Sequence, residues 1–459
     1  MREKLLSAAV ALYLFACILL GGSAQGIAFH LALQLAGIAL IAWAIATPRP
    51  MPAAPAARAL MWLVAALLFL VALQWLPLPF GLWRALPGRA IIADQLRLLG
   101  QYPATIALSL DPAASWSSAF QLIPPLAILI AIVRLGAYRA PWLIASLAAA
   151  TLVAILLGIA QVASPDPLTS PFYLFPQANR GVATGTFANA NHFAILLLTT
   201  IPFLAAGAAI AGRGSSKDAH GRHAILAGAT IVVLTGLTLS RSLAVASLAL
   251  PVCGASLLIL HRPQRSARRI GAGILIAPVM VLLSLALIPL AGGKTALSGS
   301  ATALSVDSRL VMARNTLHAI GDHFPLGAGL GSFVRLYPLY EDPAAVGPEY
   351  VVHAHDDYLE LALETGLPGM LLTAAFLWWF VRRTVAVWRA PVANPIARAA
   401  TIAVAALLAH SLVDYPLRTS AMAAVFALGV ALLADPRSRR REFAAASDPE
   451  PGPARHLSL

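Results

Sequence analysis

The sequence is poor in charge and nearly devoid of cysteine. Only 11% of its 459 residues are Asp, Glu, Lys or Arg, against 59% that are hydrophobic, which is too little polar surface to coat a soluble globule of this size. Soluble fold classes are excluded on that ground. The two cysteines, Cys17 and Cys253, both fall inside apolar blocks, so neither a disulfide framework nor a zinc site is expected. Acidic residues are the scarcer sign of charge, 19 against 32 basic ones. Yet the basic residues lie in short clusters between apolar blocks rather than along one soluble face, which argues against a nucleic-acid partner. No internal repeat is evident, and the short alternating segments of a β-barrel are missing.

What is present is a series of long apolar blocks broken by Arg, Gly and Pro, each about the ~20 residues that an α-helix needs to cross a bilayer. Candidate spans run over 5–23, 28–46, 59–77, 117–133, 142–163, 191–211, 224–240, 243–261, 271–291, 362–381, 399–415 and 419–434. The first could pass for a signal peptide behind Arg2 and Lys4, but it runs on into a second apolar block and reads as a retained helix. The expected fold is therefore an all-α membrane protein of about twelve transmembrane helices. With the N-terminus inside, the inner segments collect 22 of the 32 basic residues, as the positive-inside rule requires. Both termini are then cytoplasmic.

Ten basic residues are left on the outer side without a topological reason: Arg84, Arg89, Arg97, Arg180, Arg241, Lys294, Arg309, Arg314, Arg335 and Arg418. Some of these should bind an anion. Arg84, Arg89 and Arg97 belong to an amphipathic stretch, Leu82 to Leu99, expected to rest on the membrane surface. Two outer segments are long enough to fold, about 78–116 and about 292–361. The second carries an amphipathic run from Ser308 to Ile320, expected to stop at Gly321 ahead of Pro325. The expected organisation is nine transmembrane helices in 1–291, a soluble loop subdomain with the chemistry in 292–361, three further helices in 362–434, and a disordered cytoplasmic tail in 435–459.

Polar residues gather at the outer face rather than at the bilayer midplane, which suits a surface enzyme better than an ion-coupled transporter. Four clusters stand out. Arg180 opens Gly-Val-Ala-Thr-Gly-Thr-Phe187, which continues to Asn189-Ala-Asn191-His192; Arg241 is flanked by Ser240 and Ser242; Arg309 follows Asp307-Ser308; and His353-Ala-His355-Asp356-Asp357-Tyr358-Leu359-Glu360 precedes the tenth span. Asn189 and Asn191 are either helix caps or substrate ligands. Asp357-x-x-Glu360 fits a capping box. Gly327-Ala-Gly329-Leu-Gly331 lacks the strand and the Lys-Ser ending of a phosphate loop and reads as a turn.

Taken together over about 180–375, these pieces resemble the O-antigen ligase and polymerase superfamily. The resemblance rests on Gly185-Thr-Phe…Asn189-x-Asn191, Ser240-Arg241, Arg309, Pro325-Leu-Gly-Ala-Gly-Leu-Gly-Ser-Phe333, His353-x-His355 with its following Tyr-Leu pair, and Glu364-Thr-Gly366. It implies a class C glycosyltransferase-like fold at the periplasmic face of a Gram-negative inner membrane. The implied reaction is inverting and uses neither metal nor other cofactor. It moves a glycan from an undecaprenyl-pyrophosphate carrier to a lipid A core, glycan or protein acceptor, with membrane lipids around it. His355 is the candidate base, and Arg241 and Arg309 the candidate forks for the leaving pyrophosphate. Arg180, Asn189, Asn191, His353, Asp356 and Tyr358 are candidate substrate ligands. Asp356 stands where the family usually has Asn, and a carboxylate beside the base would raise its pKa. A ligase and an O-antigen or exopolysaccharide polymerase would use the same residues. A non-catalytic polysaccharide transporter or flippase would instead need a continuous polar path, which the sequence does not show.

Overall fold

The computed structural model describes residues 2–24, 28–47, 54–135, 140–211, 216–260, 300–344 and 350–434. Its helices are α1 (Arg2–Leu20), α2 (Ala28–Ala46), α3 (Pro55–Ala72), α4 (Phe80–Ala85), α5 (Ala90–Leu98), α6 (Pro112–Gln121), α7 (Ile123–Leu135), α8 (Ala140–Val162), α9 (Ala190–Ala211), α10 (Ser216–Ser240), α11 (Leu243–Leu260), α12 (Ser300–His323), α13 (Phe333–Leu336), α14 (Asp357–Arg389), α15 (Pro395–His410) and α16 (Ser420–Ala434). Two three-residue strands, β1 (Pro77–Pro79) and β2 (Thr105–Ala107), pair antiparallel. Among the described residues, eight helical segments are long and apolar enough to cross a membrane, with α6 and α7 running together as one of them. Three shorter apolar helices, Lys4–Leu20, Pro395–His410 and Ser420–Ala434, accompany them. The chain is a multi-pass, predominantly helical membrane protein. The expected span 271–291, the start of the expected loop subdomain and the tail 435–459 lie outside the described residues.

Helix α9 is the axis of the bundle. It packs against α8, α10, α11 and α15, and its side chains are buried almost all round, as expected of a helix apolar on every face. Its interior hydroxyls are satisfied locally: Thr199 and Thr200 donate to carbonyls one turn back, and Thr200 also meets Thr151 of α8 at 3.0 Å. Around this axis α1 packs on α8, and α7 packs on α2 and α16. At one end of the bundle, arginines from the basic clusters cap helix C-termini. Arg134 donates to the carbonyls of Ala44 and Ile45 at the end of α2, and Arg383 donates twice to Leu433 O at the end of α16, where a cation completes orphan carbonyls and the helix dipole.

The other end carries the connections that form the site. Gly22 O accepts from Ala188 N, Gly21 O from Ala421 N, Ser411 O from Asp357 N, and Ala328 O from Leu110 N. The turns 21–24, 73–111, 163–189, 241–242, 324–332 and 411–419 therefore share one face. The loop 324–332 is laid on α14 where that helix breaks. Gly366 has φ +58, Leu367 N donates to Pro325 O, and a Cβ at Gly366 would collide with that carbonyl and with Gly327 N; only glycine fits there.

Three sequence expectations change. The helix beginning at Ser300 continues through Gly321 to His323, so Gly321 does not end it. The stretch from Leu82 to Leu99 falls into two short helices, α4 and α5, and its Arg89, expected at the surface with Arg84 and Arg97, is instead fully buried. Arg89 donates to the carbonyls of Leu108 at 2.7 Å and of Pro87 and Gly327 at 3.3 Å, beneath the Trp83 ring, and burial pushes its pKa down to about 10. It ties the segment 78–116 to the glycine-rich loop. Finally, the residue capping α14 is Asp356, which accepts from Tyr358 N and Leu359 N. Asp357 and Glu360 do not form the capping box; both carboxylates point into a buried ion-pair network.

Candidate active site

The site is organised from the start of α9. Asn189 caps that helix, accepting from Asn191 N at 2.8 Å, so one of the two open readings of this pair holds for it. Asn191 does something else. Its amide donates to Asp414 Oδ2 at 2.8 Å while its oxygen accepts from Ser242 Oγ at 2.7 Å, linking α9, the α10–α11 turn and the turn before α16. The loop leading into α9 is held from below by Gln161, whose amide exchanges hydrogen bonds with Thr184, Gly185 and Phe172.

Asp414 is the centre of this end of the bundle. Its side chain is 0% exposed, and His355 Nδ1 lies 3.2 Å from Oδ1. His192 Nε2 and His410 Nε2 face the same carboxylate at 3.9 and 3.8 Å, buried without a hydrogen-bond partner among the described residues. Burial alone would raise the Asp414 pKa. The hydrogen bond from His355 and the charges of the surrounding histidines outweigh it and hold the carboxylate well below its usual range. An ionised carboxylate only accepts, so Nδ1 of His355 is the protonated nitrogen and Nε2 carries the lone pair. With 27% of its side chain exposed, His355 is the open end of this pair.

A second histidine–carboxylate pair lies two residues earlier. His353 Nδ1 is 2.9 Å from Glu360 Oε1, and Ala354 N donates to Glu360 Oε2 at 3.1 Å. Glu360 is one of three acids on α14 that share Arg418, at 3.4 Å, with Asp357 at 3.7 Å and Glu364 at 3.0 Å. Burial opposes the Arg418 charge, but the three carboxylates push its pKa above the ordinary guanidinium value. Asp357 also takes Ser411 Oγ at 2.8 Å, and Glu364 takes Gly331 N at 2.8 Å. The ring of Tyr415 packs against both histidines, its centroid 4.2 Å from His353 and 4.9 Å from His355. Burial, then the charge of Asp414, push its pKa up, while its hydroxyl bonds to Asn189.

Residues 223–374 match a family model described as O-antigen ligase. That stretch is less than half of the chain, and over it the sequence is similar to the O-antigen ligase family. No curated protein matches it in a sequence comparison. The matched stretch of this O-antigen ligase-like chain runs from α10 into α14 and contains Arg241, Arg309, both motif histidines and Glu360, whereas Asn191, Asp414 and Arg418 fall outside it. Similarity to that family supports a glycosyltransferase-like role in O-antigen processing and implies a lipid-linked glycan donor and glycan acceptors.

The remaining candidates divide into those near the dyads and those away from them. Arg309 acts electrostatically on Tyr415 and His410. Arg241 is exposed and adjoins Ser242, which is bonded to Asn191. Among the described residues, Arg241 (φ +53) and His355 (φ +52) are the non-glycine residues with positive φ. That conformation costs on the order of 1 kcal/mol or more and tends to persist at functional sites. Arg180 lies apart, bonded to Leu168 O and over Tyr173. The Asp356 carboxylate is spent on capping α14 and is pushed up in pKa by its burial. The Tyr358 hydroxyl donates to Leu408 O. Sequence reasoning missed Asp414, Tyr415 and Arg418 as site residues. The available signal was Asp414 itself, the sole carboxylate between Ala390 and Ala434.

Proposed function

We propose that this protein transfers a glycan from a polyprenyl pyrophosphate carrier to an acceptor hydroxyl, with inversion, at the periplasmic face of an inner membrane. The observation that carries the reading is the His355–Asp414 pair, a partly exposed imidazole whose Nδ1 is held by a buried carboxylate at 3.2 Å. Such an arrangement fixes the tautomer, so that Nε2 takes the acceptor proton while Asp414 stabilises the imidazolium that forms. As the acceptor oxygen attacks the anomeric carbon, the bond to the pyrophosphate breaks and the electron pair leaves on a phosphate oxygen. In this reading Arg241 and Arg309 meet that anion with bidentate hydrogen bonds. Asn191 couples the two halves, because it holds Asp414 and is held by Ser242 next to Arg241.

The test is transfer by the purified, full-length protein supplied with a polyprenyl-pyrophosphate glycan and either a lipid A core or a second lipid-linked glycan, read by gel shift. Product with the lipid A core supports ligation, and product lengthened on the carrier places the chain among polymerases. Intact donor with every acceptor would remove the proposal.

A further inference from the structure

Building on that reading, we propose that His353 is the proton donor to the departing pyrophosphate, so that the reaction is run by two histidine–carboxylate pairs with opposite roles. Each imidazole is committed at Nδ1 to its own carboxylate, His353 to Glu360 at 2.9 Å and His355 to Asp414 at 3.2 Å. Each therefore presents Nε2 to the chemistry. Both imidazoles pack against one Tyr415 ring, its centroid 4.2 Å from His353 and 4.9 Å from His355, so two proton-handling groups serve one site. An inverting displacement uses two such groups, because attacking and leaving oxygens lie on opposite sides of the anomeric carbon and inverting glycosidases serve them with two distinct carboxyl groups.

The surroundings assign the roles. Around His353, three acids, Asp357, Glu360 and Glu364, share a single guanidinium, Arg418, and Glu360, which against its burial Arg418 and His353 hold below the usual carboxylate range, bonds His353 Nδ1 directly, a partner that accommodates a cation. Around His355, the one carboxylate of Asp414 is shared with His192 and His410 and takes a hydrogen bond from Asn191, and Arg309 adds positive charge nearby. Two like groups in unlike environments are the usual arrangement for an acid and a base. In the step itself, the acceptor O–H proton passes to His355 Nε2 as the new C–O bond forms. The old C–O bond breaks with its electron pair on the phosphate oxygen, and that oxygen takes the proton from His353 Nε2. One proton moving through solvent from His355 to His353 then restores both. No other reactant is consumed.

The test is the pH dependence of kcat for the purified enzyme with a polyprenyl-pyrophosphate glycan donor. The wild type should give a bell-shaped profile. His353→Gln, whose amide can still donate to Glu360, should lose the alkaline limb and about 10–100-fold in kcat, with the donor KM within about threefold. A variant that keeps the alkaline limb, or that changes KM alone, would show His353 to be structural. Should His353→Gln fail to accumulate, His353→Gly with added imidazole replaces it: restored turnover is expected, and none at any imidazole concentration would count against the assignment. A wild-type enzyme that turns over with no alkaline limb overturns this inference and leaves the reaction standing; a wild-type enzyme that never uses the donor overturns both.

Discussion

Replacing Asp414 by Asn removes one charge from a site where almost every neighbour depends on it. The carboxylate accepts from His355 Nδ1, Asn191 Nδ2 and Tyr415 N, and faces His192 and His410 at 3.9 and 3.8 Å. An asparagine that keeps its oxygen toward His355 turns its NH2 toward the Asn191 NH2. Relieving that clash by flipping Asn191 breaks the bond from Ser242 Oγ. One charge-assisted hydrogen bond is weakened, worth about 1.5–3 kcal/mol, and one buried donor is left unpaired, worth about 1–3 kcal/mol more. The imidazole also loses the anion that fixes its tautomer and stabilises its protonated form. Loss of an oriented base costs on the order of 10²–10⁴-fold in kcat, so Asp414→Asn should fall in that range with donor binding retained. The pH dependence has a definite sign. Because the folded protein holds Asp414 below the usual carboxylate range, its contribution to stability is complete above about pH 4 and is lost as pH falls through the folded value. The stability advantage of wild type over Asp414→Asn should shrink on acidification. The assay is gel-shift transfer with purified protein, alongside donor binding and thermal unfolding across pH. Wild-type kcat in Asp414→Asn at a normal protein level would refute the reasoning.

Three further predictions are independent of that one. Arg241→Lys and Arg309→Lys keep the charge and lose the fork, so each should lower transfer by about 10²-fold, measured as kcat/KM for the donor; unchanged values would remove them from pyrophosphate binding. Arg89→Lys should destabilise the fold by about 2–4 kcal/mol, because a lysine cannot reproduce the hydrogen bonds to Leu108 and Gly327, and a thermal-unfolding midpoint equal to wild type would contradict the buried placement. Asp356→Asn retains an N-cap acceptor and should leave kcat within about threefold, since the carboxylate serves α14 rather than His355; a large loss of kcat would give Asp356 a direct role.

The helical spans were legible because lipid leaves no alternative to long apolar blocks, and the basic clusters between them mark helix ends that arginines such as Arg134 and Arg383 do cap. The motif histidines were legible as a pair, and Arg241 and His355 were singled out before their shared left-handed backbone was visible. Their partners were not legible. Asp414 is 59 residues from His355 in sequence, and only the return of α15 to the same face brings them together. Local spacing also misled, since Asp357-x-x-Glu360 has the pattern of a capping box while Asp356 takes the cap and Arg418 takes the acids. Arg89 illustrates the same limit: an amphipathic stretch says that one face is apolar, not that a guanidinium within it will find three carbonyls and a tryptophan to bury against.

In the proposed reaction His355 is the base and Asp414 holds it, and the most direct measurement is turnover by purified His355→Ala and His353→Ala with a polyprenyl-pyrophosphate glycan and its acceptor. His355→Ala should bind the donor with wild-type affinity and transfer nothing detectable, while His353→Ala should be slowed but active. Wild-type turnover by His355→Ala, with the protein inserted and donor bound, would show that His355 is not the base.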